Sequence, residues 1–388
     1  MNREFCVAGP ERYAVRDLDQ VETPRLLLFD WALRANRERL KAASDGFRRV
    51  RLMAKTIKAS AVFEEYRRDG LRAMKASCVS EARAVARGTG IADILVAFPL
   101  HGPAVRSFLA LRAEHPDRRI AAMVSNRIGA EELSREAADD VDVFLDVDAG
   151  MLRTGVAIGA GLLELADLVG RLPRLRAVGL HVYDGQVHHP NAVAVRRYSE
   201  ALMARIDEMV TALGGPDAVG EVVTSSSVTA LSNLGAHAAG GYAWHHTVSP
   251  GTTVLWDSNY NDLMPGEFDY AAAVAARVVD ARPYRDGWIL TTDCGHKMGA
   301  STDSGPVHVL NVRGYRVFGV NERFGRLLWL GHDRATDAEL DADPSELLGH
   351  VVLVFPNHVC PTVNQYAFAL RVRDGAIVER VDIDARDG

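Results

Sequence analysis

The sequence predicts an α/β barrel followed by an all-β domain. Up to about residue 262, eight short apolar runs alternate with amphipathic helical stretches. From about Met264 onward the apolar runs follow one another with turn residues between them and almost no helical periodicity. Eightfold alternation of strand and helix is typical of a (β/α)8 barrel. The alternative is an open doubly wound sheet, and only the number of strands argues against it.

The eight apolar runs are the predicted barrel strands. They cover residues 51–55, 71–76, 94–98, 120–124, 141–147, 177–182, 221–225 and 247–255. Helical stretches with apolar residues at three- and four-residue spacing lie between them, for example 81–87, 131–138, 162–171 and 197–213. Residues 25–30 form another predicted strand that could belong to either part. We therefore expect a barrel domain over residues 23–262.

Six further runs predict the β domain, over residues 263–388. They are residues 272–279, 288–292, 307–312, 326–329, 351–355 and 366–372. No Gly/Ser-rich or Pro-rich linker separates them from the barrel. The N-terminal residues 1–30 are candidates for packing with this second domain.

Composition excludes several classes of function. The formal net charge of −6 gives no attraction to nucleic acid or to anionic lipid. No apolar run approaches the ~18 to 20 residues of a membrane span, and no signal peptide is evident at the N-terminus. Cys6, Cys78, Cys294 and Cys360 are too few and too scattered for a disulfide framework. We therefore expect a cytoplasmic protein.

An imidazole and a thiol stand two residues apart near the end of the chain. His358 and Cys360 occur in the segment PNHVCP, residues 356–361. If this segment is extended, both side chains leave it on one face and can bind one metal ion. Imidazole and thiolate are ligands that zinc accepts, and two protein ligands leave positions open, as in catalytic sites. The alternative is a buried cysteine beside a hydrogen-bonded histidine.

A lysine closes the first predicted strand. Catalytic residues of such barrels lie at the C-terminal ends of the strands, where Lys55 stands. A lysine there is expected to be half buried, and desolvation favours the neutral, nucleophilic amine that a Schiff base with an aldehyde cofactor requires. The alternative is a lysine that reaches solvent, as Lys58 could do.

Several segments in fixed order carry a family resemblance. They are TPRLLL (23–28), KT (55–56), DVDAGMLRTGV (146–156), GLHVYDG (179–185), PGT (250–252) and HVC (358–360). From residue 23 to about 383, the sequence resembles the fold-type III pyridoxal-phosphate enzymes of the D-serine dehydratase and D-threonine aldolase family. The resemblance implies the fold of alanine racemase, with a barrel followed by a β domain.

The resemblance also implies roles for individual residues. Lys55 would carry pyridoxal 5'-phosphate and act as the base at the substrate α-carbon. Arg153 would reach the cofactor's phenolic oxygen, where a guanidinium stabilises a phenolate. Tyr183 would lie against the pyridine ring, although the sequence alone predicts a barrel core aromatic. The phosphate would be held by the turn after strand seven and by backbone N–H groups after strand eight, that is by Ser226, Ser227, Thr229, Gly251 and Thr252.

The sequence departs from the family pattern at several positions. Relatives read Arg-Pro-His before the lysine and Lys-Thr-His-Lys through it, whereas this chain has RLM at 51–53 and Ile57 in place of the second histidine. Ser249 stands where alanine racemases have an arginine facing the pyridine nitrogen. The pair His188 and His189 precedes Pro190 and is predicted to lie in a loop. The segment DCGHK, residues 293–297, resembles a pattern of relatives but suggests no chemical role.

The function implied by the resemblance is that of a metal-dependent lyase of D-3-hydroxy amino acids, and the D configuration follows from the family alone. A cysteine at the second metal position, Cys360, resembles the dehydratases, which form a 2-oxo acid and ammonia. An aspartate there resembles the aldolases, so retro-aldol cleavage to glycine and an aldehyde is the alternative. Zinc is the expected metal, with manganese or magnesium as alternatives.

The resemblance also bears on the assembly of the protein and on its class of function. Relatives complete their active site with the β domain of a second subunit, so the resemblance implies a homodimer. A hypothesis of another class is a non-catalytic carrier of pyridoxal phosphate. Such carriers resemble a lone barrel, so the second domain and its His-x-Cys segment argue against this hypothesis.

Overall fold

The computed structural model describes residues 10–224, 226–285, 287–299, 307–310, 314–329, 332–333, 338–339 and 344–386. The chain forms two compact units. One consists of Glu38–Thr253, joined by the C-terminus from Ala385. The other combines the chain up to Arg37 with Val254–Asp384.

The strands of the described residues are numbered in chain order. They are β1 (Arg25–Phe29), β2 (Arg51–Met53), β3 (Ala73–Ala76), β4 (Asp93–Pro99), β5 (Arg119–Val124), β6 (Val141–Asp148), β7 (Val156–Ala157), β8 (Leu175–Tyr183), β9 (Glu221–Thr224), β10 (His245–Val248), β11 (Ala272–Tyr284), β12 (Gly287–Thr292), β13 (His308–Leu310), β14 (Tyr315–Val320), β15 (Gly325–Trp329), β16 (His332–Asp333), β17 (Ala338–Glu339), β18 (Val351–Phe355), β19 (Phe368–Arg373) and β20 (Ala376–Asp382).

The α-helices of the same residues are numbered likewise. They are α1 (Asp30–Ala43), α2 (Ser60–Arg68), α3 (Val79–Gly88), α4 (Pro103–Glu114), α5 (Arg127–Glu136), α6 (Ala160–Arg171), α7 (Ala192–Ala212), α8 (Pro216–Val219), α9 (Ala230–Gly240), α10 (Ser258–Leu263) and α11 (Val359–Asn364). Within the described part of the chain, no helix is long and apolar enough to cross a membrane.

The first unit is a (β/α)8 barrel, as predicted. Its strands pair in parallel in the order β2, β3, β4, β5, β6, β8, β9, β10. A parallel bridge between Val50 and Val248 joins the two end strands and closes the ring. The closure excludes the open doubly wound sheet.

The eighth barrel strand is shorter than the sequence predicted. The predicted run covers residues 247–255, whereas β10 ends at Val248 and a 3-10 turn follows at Thr252–Val254. Pro250 has no N–H to continue a strand ladder, and Gly251 allows the chain to turn sharply. The seventh predicted run includes Ser225, which lies outside the described residues. The extra apolar residues therefore belong to the turn at the carboxyl end of the barrel.

A buried ion network occupies the amino-terminal end of the barrel. Arg51, at the start of β2, is fully buried and pairs with Asp93 and Glu221, each at 2.7 Å. Arg119 links Asp93 to Asp142 at 2.9 and 2.7 Å. Burial raises the pKa of Asp93, but the guanidinium groups of Arg51 and Arg119 outweigh it and hold that pKa below its ordinary value. Charged groups at this end serve stability, because the reactions of such barrels occur at the other end.

The second unit contains a mixed sheet in which β1 has a central place. Its main strand order is β14, β15, β12, β11, β1, β19, β20, and β18 pairs with β11 and β13. The run at residues 25–30 therefore belongs to this sheet rather than to the barrel, and it ends at Phe29 because α1 begins at Asp30. Two strands that the sequence reading missed, β14 and β20, lie at the ends of this order and are half exposed. Residues 311–312 of a predicted run lie outside the described residues.

Candidate active site

Lys55 lies just beyond the carboxyl end of the first barrel strand. The strand stops at Met53, whose N–H donates to the Pro250 carbonyl at 3.0 Å, and Ala54–Thr56 form one 3-10 turn. Successive residues of such a turn point about 120° apart, so burying Ala54 and Thr56 leaves Lys55 directed outward. Lys55 is exposed, and the prediction of a half-buried lysine is wrong. Its amine is accessible to a ligand at this end of the barrel.

Lys58 does not reach solvent, contrary to the alternative that the sequence offered. Its Nζ donates to Glu81 Oε1 at 2.7 Å, and both side chains are almost completely buried. Glu81 also accepts from the backbone N–H and the hydroxyl of Ser77. Lys58 is thus a structural partner of Glu81, and of the two neighbouring lysines Lys55 alone has an exposed side chain.

The two turns predicted to hold a phosphate are joined by one hydroxyl. Ser227 Oγ accepts hydrogen bonds from the N–H groups of Gly251 and Thr252, both at 3.1 Å. Ser226 and Thr229 are also buried in this turn, and Thr229 directly precedes α9. The N-terminus of a helix favours an anion, and N–H and hydroxyl groups are donors that a phosphate ester takes. The hydroxyl groups of this turn therefore fit the phosphate of pyridoxal phosphate, and the two N–H groups would fit it where the phosphate replaces Ser227 Oγ as their acceptor.

Two further features near this turn, at Gly251 and Ser249, are typical of a ligand-binding site. A Cβ added at Gly251 would lie 2.5 Å from Thr56 Oγ1 and 3.2 Å from Met53 Cβ, so only glycine lets the two turns approach. The Ser249 hydroxyl is buried without a hydrogen-bond partner among the described residues. A buried unpaired hydroxyl costs free energy unless a ligand satisfies it.

Replacing Gly251 by alanine is expected to weaken the binding of pyridoxal 5'-phosphate by at least about tenfold, because the added methyl displaces the Thr56 turn and with it the N–H groups. Fluorescence titration of the full chain with the cofactor measures the change. Gly235→Ala is the matched control, since nothing lies within 4 Å of a Cβ added there. Equal affinity in both variants would contradict the assigned phosphate turn.

Arg153 and Tyr183 meet at the carboxyl rim of the barrel. The Arg153 guanidinium lies over the Tyr183 ring, 4.3 Å from its centroid, which is a cation–π contact. Gly185 packs against the same ring, since a Cβ there would lie 2.3 Å from the tyrosine oxygen. Tyr183 is only partly buried, and Arg153 is exposed. The ring is therefore a rim residue rather than the core aromatic that the sequence alone predicted.

Three polar side chains that the sequence reading did not single out meet inside the barrel. Lys75 Nζ lies 3.3 Å from His181 Nε2, and His181 Nδ1 lies 2.8 Å from Asp146 Oδ1. All three are at least 96% buried. The signal in the sequence was a lysine among the apolar residues of the predicted strand at 71–76, where only Arg72 is also charged. Burial, and then the positive charge of Lys55, lower the pKa of Lys75 to about 7.

His358 and Cys360 do not lie on one face of a strand. His358 is the last residue before α11, and Cys360 is in the first turn of that helix. The helix tolerates Pro361 there because the first N–H groups of a helix have no partner within it. The predicted extended geometry is therefore wrong.

The segment that contains His358 and Cys360 is hydrogen-bonded to the residues at the start of α10. Asp257 Oδ2 accepts from the Val359 N–H at 3.1 Å, and Asn357 Nδ2 donates to Ser258 Oγ at 3.1 Å. In the part of the chain that the structure describes, no group of three or more His, Cys, Asp or Glu side chains could hold a metal. His358 and Cys360 supply donors of the type that zinc takes, but they fit only a site in which other ligands complete the coordination.

The 293–297 segment and the pair His188 and His189 are the remaining candidates from the sequence. Asp293 accepts from the hydroxyl of Thr23 at 2.6 Å and from the N–H of Arg277 at 2.8 Å, which ties the 293–297 turn to β11 and to the residues just before β1. His188 and His189 lie in the loop between β8 and α7, as predicted.

Two family models match the chain. The model described as alanine racemase, N-terminal domain, matches residues 31–257, which is more than half of the sequence. The chain belongs to this family. A serine dehydratase domain model matches residues 271–372. The resemblance that the sequence motifs indicated is thereby confirmed.

Known proteins with similar sequences and structures agree with this assignment. The D-threonine aldolase of an Arthrobacter species is 27% identical over 387 residues, covering 95% of this chain and 94% of that protein. The solved structure of D-threonine aldolase from Filomicrobium marinum has a TM-score of 0.78 at 25% identity and covers 95% of this chain and 97% of that one. D-threo-3-hydroxyaspartate dehydratase from a Delftia species shares the fold, with a TM-score of 0.75, 21% identity and coverage of 94% and 98%.

Proposed function

We propose that this chain is a pyridoxal-phosphate-dependent lyase that acts on D-3-hydroxy amino acids. The observation that carries the proposal is the exposed Lys55 at the carboxyl end of the first barrel strand, in a turn packed against the Gly251 phosphate turn. The similarity to a D-threonine aldolase and to a 3-hydroxy-D-aspartate aldolase of Paracoccus denitrificans, 25% identical over 319 residues, supports the substrate class.

The residues of the barrel have distinct roles in this proposal. Lys55 would hold the cofactor through its aldehyde group, and the amine of Lys55 would take the α-proton of the substrate. Ser226, Ser227, Thr229 and the N–H groups of Gly251 and Thr252 hold the phosphate. Arg153 provides positive charge for the phenolic oxygen, and Tyr183 provides a face for the ring. The cofactor, when bound, supplies an electron sink for the bond that breaks at the α-carbon.

The second unit contributes a candidate metal pair. His358 and Cys360 would hold a divalent cation, with zinc preferred by the thiolate and manganese or magnesium as alternatives. The metal, when bound, supplies a Lewis acid for the substrate's β-hydroxyl. Among proteins of this fold is a metal-free form of a cysteine-to-alanine variant of D-threo-3-hydroxyaspartate dehydratase, 22% identical to this chain.

Two reactions remain open within this class, and each has its own support. Dehydration to a 2-oxo acid and ammonia is favoured by Cys360, since a cysteine at the second metal position resembles the dehydratases. Cleavage to glycine and an aldehyde is favoured by the aldolases among the similar proteins. We propose dehydration as the first candidate and cleavage as the second.

Reductive trapping tests the cofactor assignment. Incubation of the chain with pyridoxal 5'-phosphate, reduction with borohydride and peptide mapping is expected to place the adduct on Lys55. The buried and ion-paired Lys58 is the internal comparison. An adduct on Lys58, or no adduct, would refute the assignment. Added amino acids that leave the absorption of the bound cofactor unchanged would instead revive the hypothesis of a non-catalytic carrier.

Removal of the metal is expected to abolish turnover and to leave the folded chain and its bound cofactor unchanged, because the cofactor is held by Lys55. Zinc should restore activity, and Cys360→Ala should not be rescued by zinc at ordinary concentrations.

Cys360→Asp replaces a soft metal ligand by a hard one. This variant is expected to bind manganese or magnesium in preference to zinc and to form some glycine. Metal analysis of the purified wild type is the control. Less than about a tenth of an equivalent of transition metal, with full activity in the presence of chelator, would contradict a catalytic metal at His358 and Cys360.

We further propose that the chain is a homodimer, in which a second subunit completes the site. Two-fold dimers are also the commonest oligomers. Sedimentation at the concentration of the assay tests this, and a catalytically active monomer would contradict it.

A further inference from the structure

The barrel has little backbone pairing at the point where it closes. Its first and last strands, β2 and β10, meet in an isolated bridge between Val50 and Val248, whereas the other neighbouring barrel strands form ladders of at least three residue pairs. We call this contact between β2 and β10 the seam. Backbone hydrogen bonds cross the seam from the Val248 N–H to the Arg49 carbonyl and from the Met53 N–H to the Pro250 carbonyl, both at 3.0 Å. A junction with few ladder bonds depends on side chains for its local stability.

The side chain of Arg49 crosses the seam at the amino-terminal end of the barrel. Its Nη2 donates to Nδ1 of His237 at 3.0 Å and to Nδ1 of His246 at 3.2 Å, and its Nε donates to the His246 carbonyl at 3.3 Å. Arg49 lies just before β2, His246 lies in β10, and His237 lies in α9, which packs against β10. The guanidinium therefore joins the start of the barrel to its last strand and to the helix beside that strand.

These contacts define the protonation state of both rings. An arginine side chain donates hydrogen bonds and cannot accept them, so Nδ1 of each ring is the acceptor. Nε2 of His237 lies 3.0 Å from the Trp244 carbonyl oxygen, and Nε2 of His246 lies 2.9 Å from Thr224 Oγ1. Both atoms can accept a hydrogen bond from Nε2–H. Each ring is therefore neutral, with its hydrogen on Nε2.

Burial and charge both oppose a second proton on either ring. His246 is 1% exposed and His237 is 9% exposed. Burial, and then the charge of Arg49, lower the pKa of His237. Burial lowers the pKa of His246 well below its ordinary value, and the charges of His237 and Arg49 add to this effect. A proton on Nδ1 would also remove the acceptor of the hydrogen bond from Arg49.

The other charged groups around the two rings do not reverse this effect. His245, the first residue of β10, also disfavours a proton on both rings. Asp207 of α7 favours a proton on His237, but it acts more weakly than Arg49, and its Oδ1 accepts from Trp244 Nε1 at 3.1 Å. Asp45 favours the charge on Arg49, and an arginine keeps its charge throughout the pH range of proteins.

We propose that Arg49, His237 and His246 form a pH-sensitive clasp, which holds the seam closed at neutral pH and opens it locally when either ring gains a proton. The added proton replaces the hydrogen bond from Arg49 by repulsion between two cations. The clasp needs neither cofactor nor substrate. Its position matters because the turns that contain Lys55 and Gly251 directly follow β2 and β10, the two strands that meet at the seam.

The direction of the pH effect follows from proton binding. In the closed seam both rings resist a proton, whereas exposed rings gain one below a pH of about 6.5. The open seam therefore binds more protons, so the closed seam loses stability as the pH falls below that value. One histidine changes the opening equilibrium by about tenfold for each pH unit, and two histidines change it by about a hundredfold.

Amide hydrogen exchange of the full-length chain at pH 7 and pH 5 tests the clasp. The N–H groups of Val248 and Met53 are the reporters, because they donate across the seam. Each rate is divided into the intrinsic rate at the same pH to give a protection factor. We expect protection of the reporters to fall at least about tenfold from pH 7 to pH 5, while protection in β5 and β6, on the opposite side of the barrel, changes by less than about twofold. An equal fall in all four places would mean global acid unfolding and would overturn the clasp.

Variants separate the clasp from other titrating groups. His246→Gln keeps a donor and an acceptor but takes up no proton, so its reporters should keep most of their protection at pH 5. Arg49→Met is expected to lower protection at pH 7 and to weaken its pH dependence. His101→Gln is the matched control and should behave as the wild type, since His101 is an exposed histidine at the carboxyl end of the same barrel. If His246→Gln fails to fold by circular dichroism, His237→Gln replaces it. A wild-type pH dependence in the glutamine variant would contradict the proposal.

Nitrogen NMR of the histidine-labelled wild type needs no variant to fold. At pH 7 the rings of His237 and His246 are expected to be neutral, with the hydrogen on Nε2. A charged ring, or a hydrogen on Nδ1, would be incompatible with the bonds from Arg49 and would overturn the clasp.

Discussion

Replacing Lys55 by alanine is expected to lower kcat by at least about a thousandfold, because one amine serves as both the attachment point of the cofactor and the base at the α-carbon. The fold should be unaffected, since Lys55 is exposed. The measurement is steady-state turnover of a D-3-hydroxy amino acid at saturating cofactor. Lys41→Ala is the matched control and should retain full activity.

Chemical rescue by a small primary amine is a second test of the Lys55→Ala variant. Because the position is open to solvent, added methylamine is expected to restore part of the activity of Lys55→Ala and none of the activity of a variant with a disrupted phosphate turn. Turnover of Lys55→Ala close to that of the wild type, without added amine, would contradict the assignment of the base.

Replacing Arg51 by methionine is expected to reduce the free energy of unfolding by about 3 to 5 kcal/mol, the usual cost of removing one partner of a buried ion pair. The cost arises because Glu221 and Asp93 keep their charges near the base of the barrel without the guanidinium between them. Chemical denaturation at pH 7 measures the change. Arg48→Met is the control, since its pair with Asp45 is exposed and contributes little.

The effect of Arg51→Met is also expected to depend on pH. The pKa of Asp93 is held below its ordinary value in the folded chain, so this carboxylate stabilises the fold above its unfolded pKa, and the contribution is lost as the pH falls through the folded value. The difference between wild type and variant should therefore narrow in acid. A difference that stays constant from pH 7 to pH 3 would mean that packing rather than charge accounts for the loss.

The barrel was predictable because several of its strands, such as β5 and β6, are rich in apolar residues and almost completely buried. Edge strands carry a weaker signal, and for this reason β14 and β20 of the second unit were missed. The end of β10 was misplaced because Val254 and Leu255 are apolar and buried, yet they lie in the turn that follows the strand. Hydrophobicity predicts burial in these cases, but it does not distinguish a strand from a buried turn.

The candidate site was predictable in its residues and less so in its geometry. The motifs correctly placed Lys55 at the rim of the barrel. The exposure of its side chain depends on the 3-10 turn after β2, and no local pattern in the sequence indicated that turn. The His-x-Cys spacing suggested a strand, whereas the chain starts a helix there because Pro361 is compatible with a first helical turn. Lys75 and His181 lie 106 residues apart in the chain, and only the closed barrel brings them together.

The most direct test of the proposed function is a product analysis. The metal-loaded, cofactor-loaded chain is incubated with a panel of D- and L-3-hydroxy amino acids, and ammonia, 2-oxo acid and glycine are measured separately. The proposal predicts turnover of D substrates, with equal amounts of ammonia and 2-oxo acid for dehydration or of glycine and an aldehyde for cleavage. No product from any D-3-hydroxy amino acid, with pyridoxal phosphate bound at Lys55, would contradict a lyase of this class.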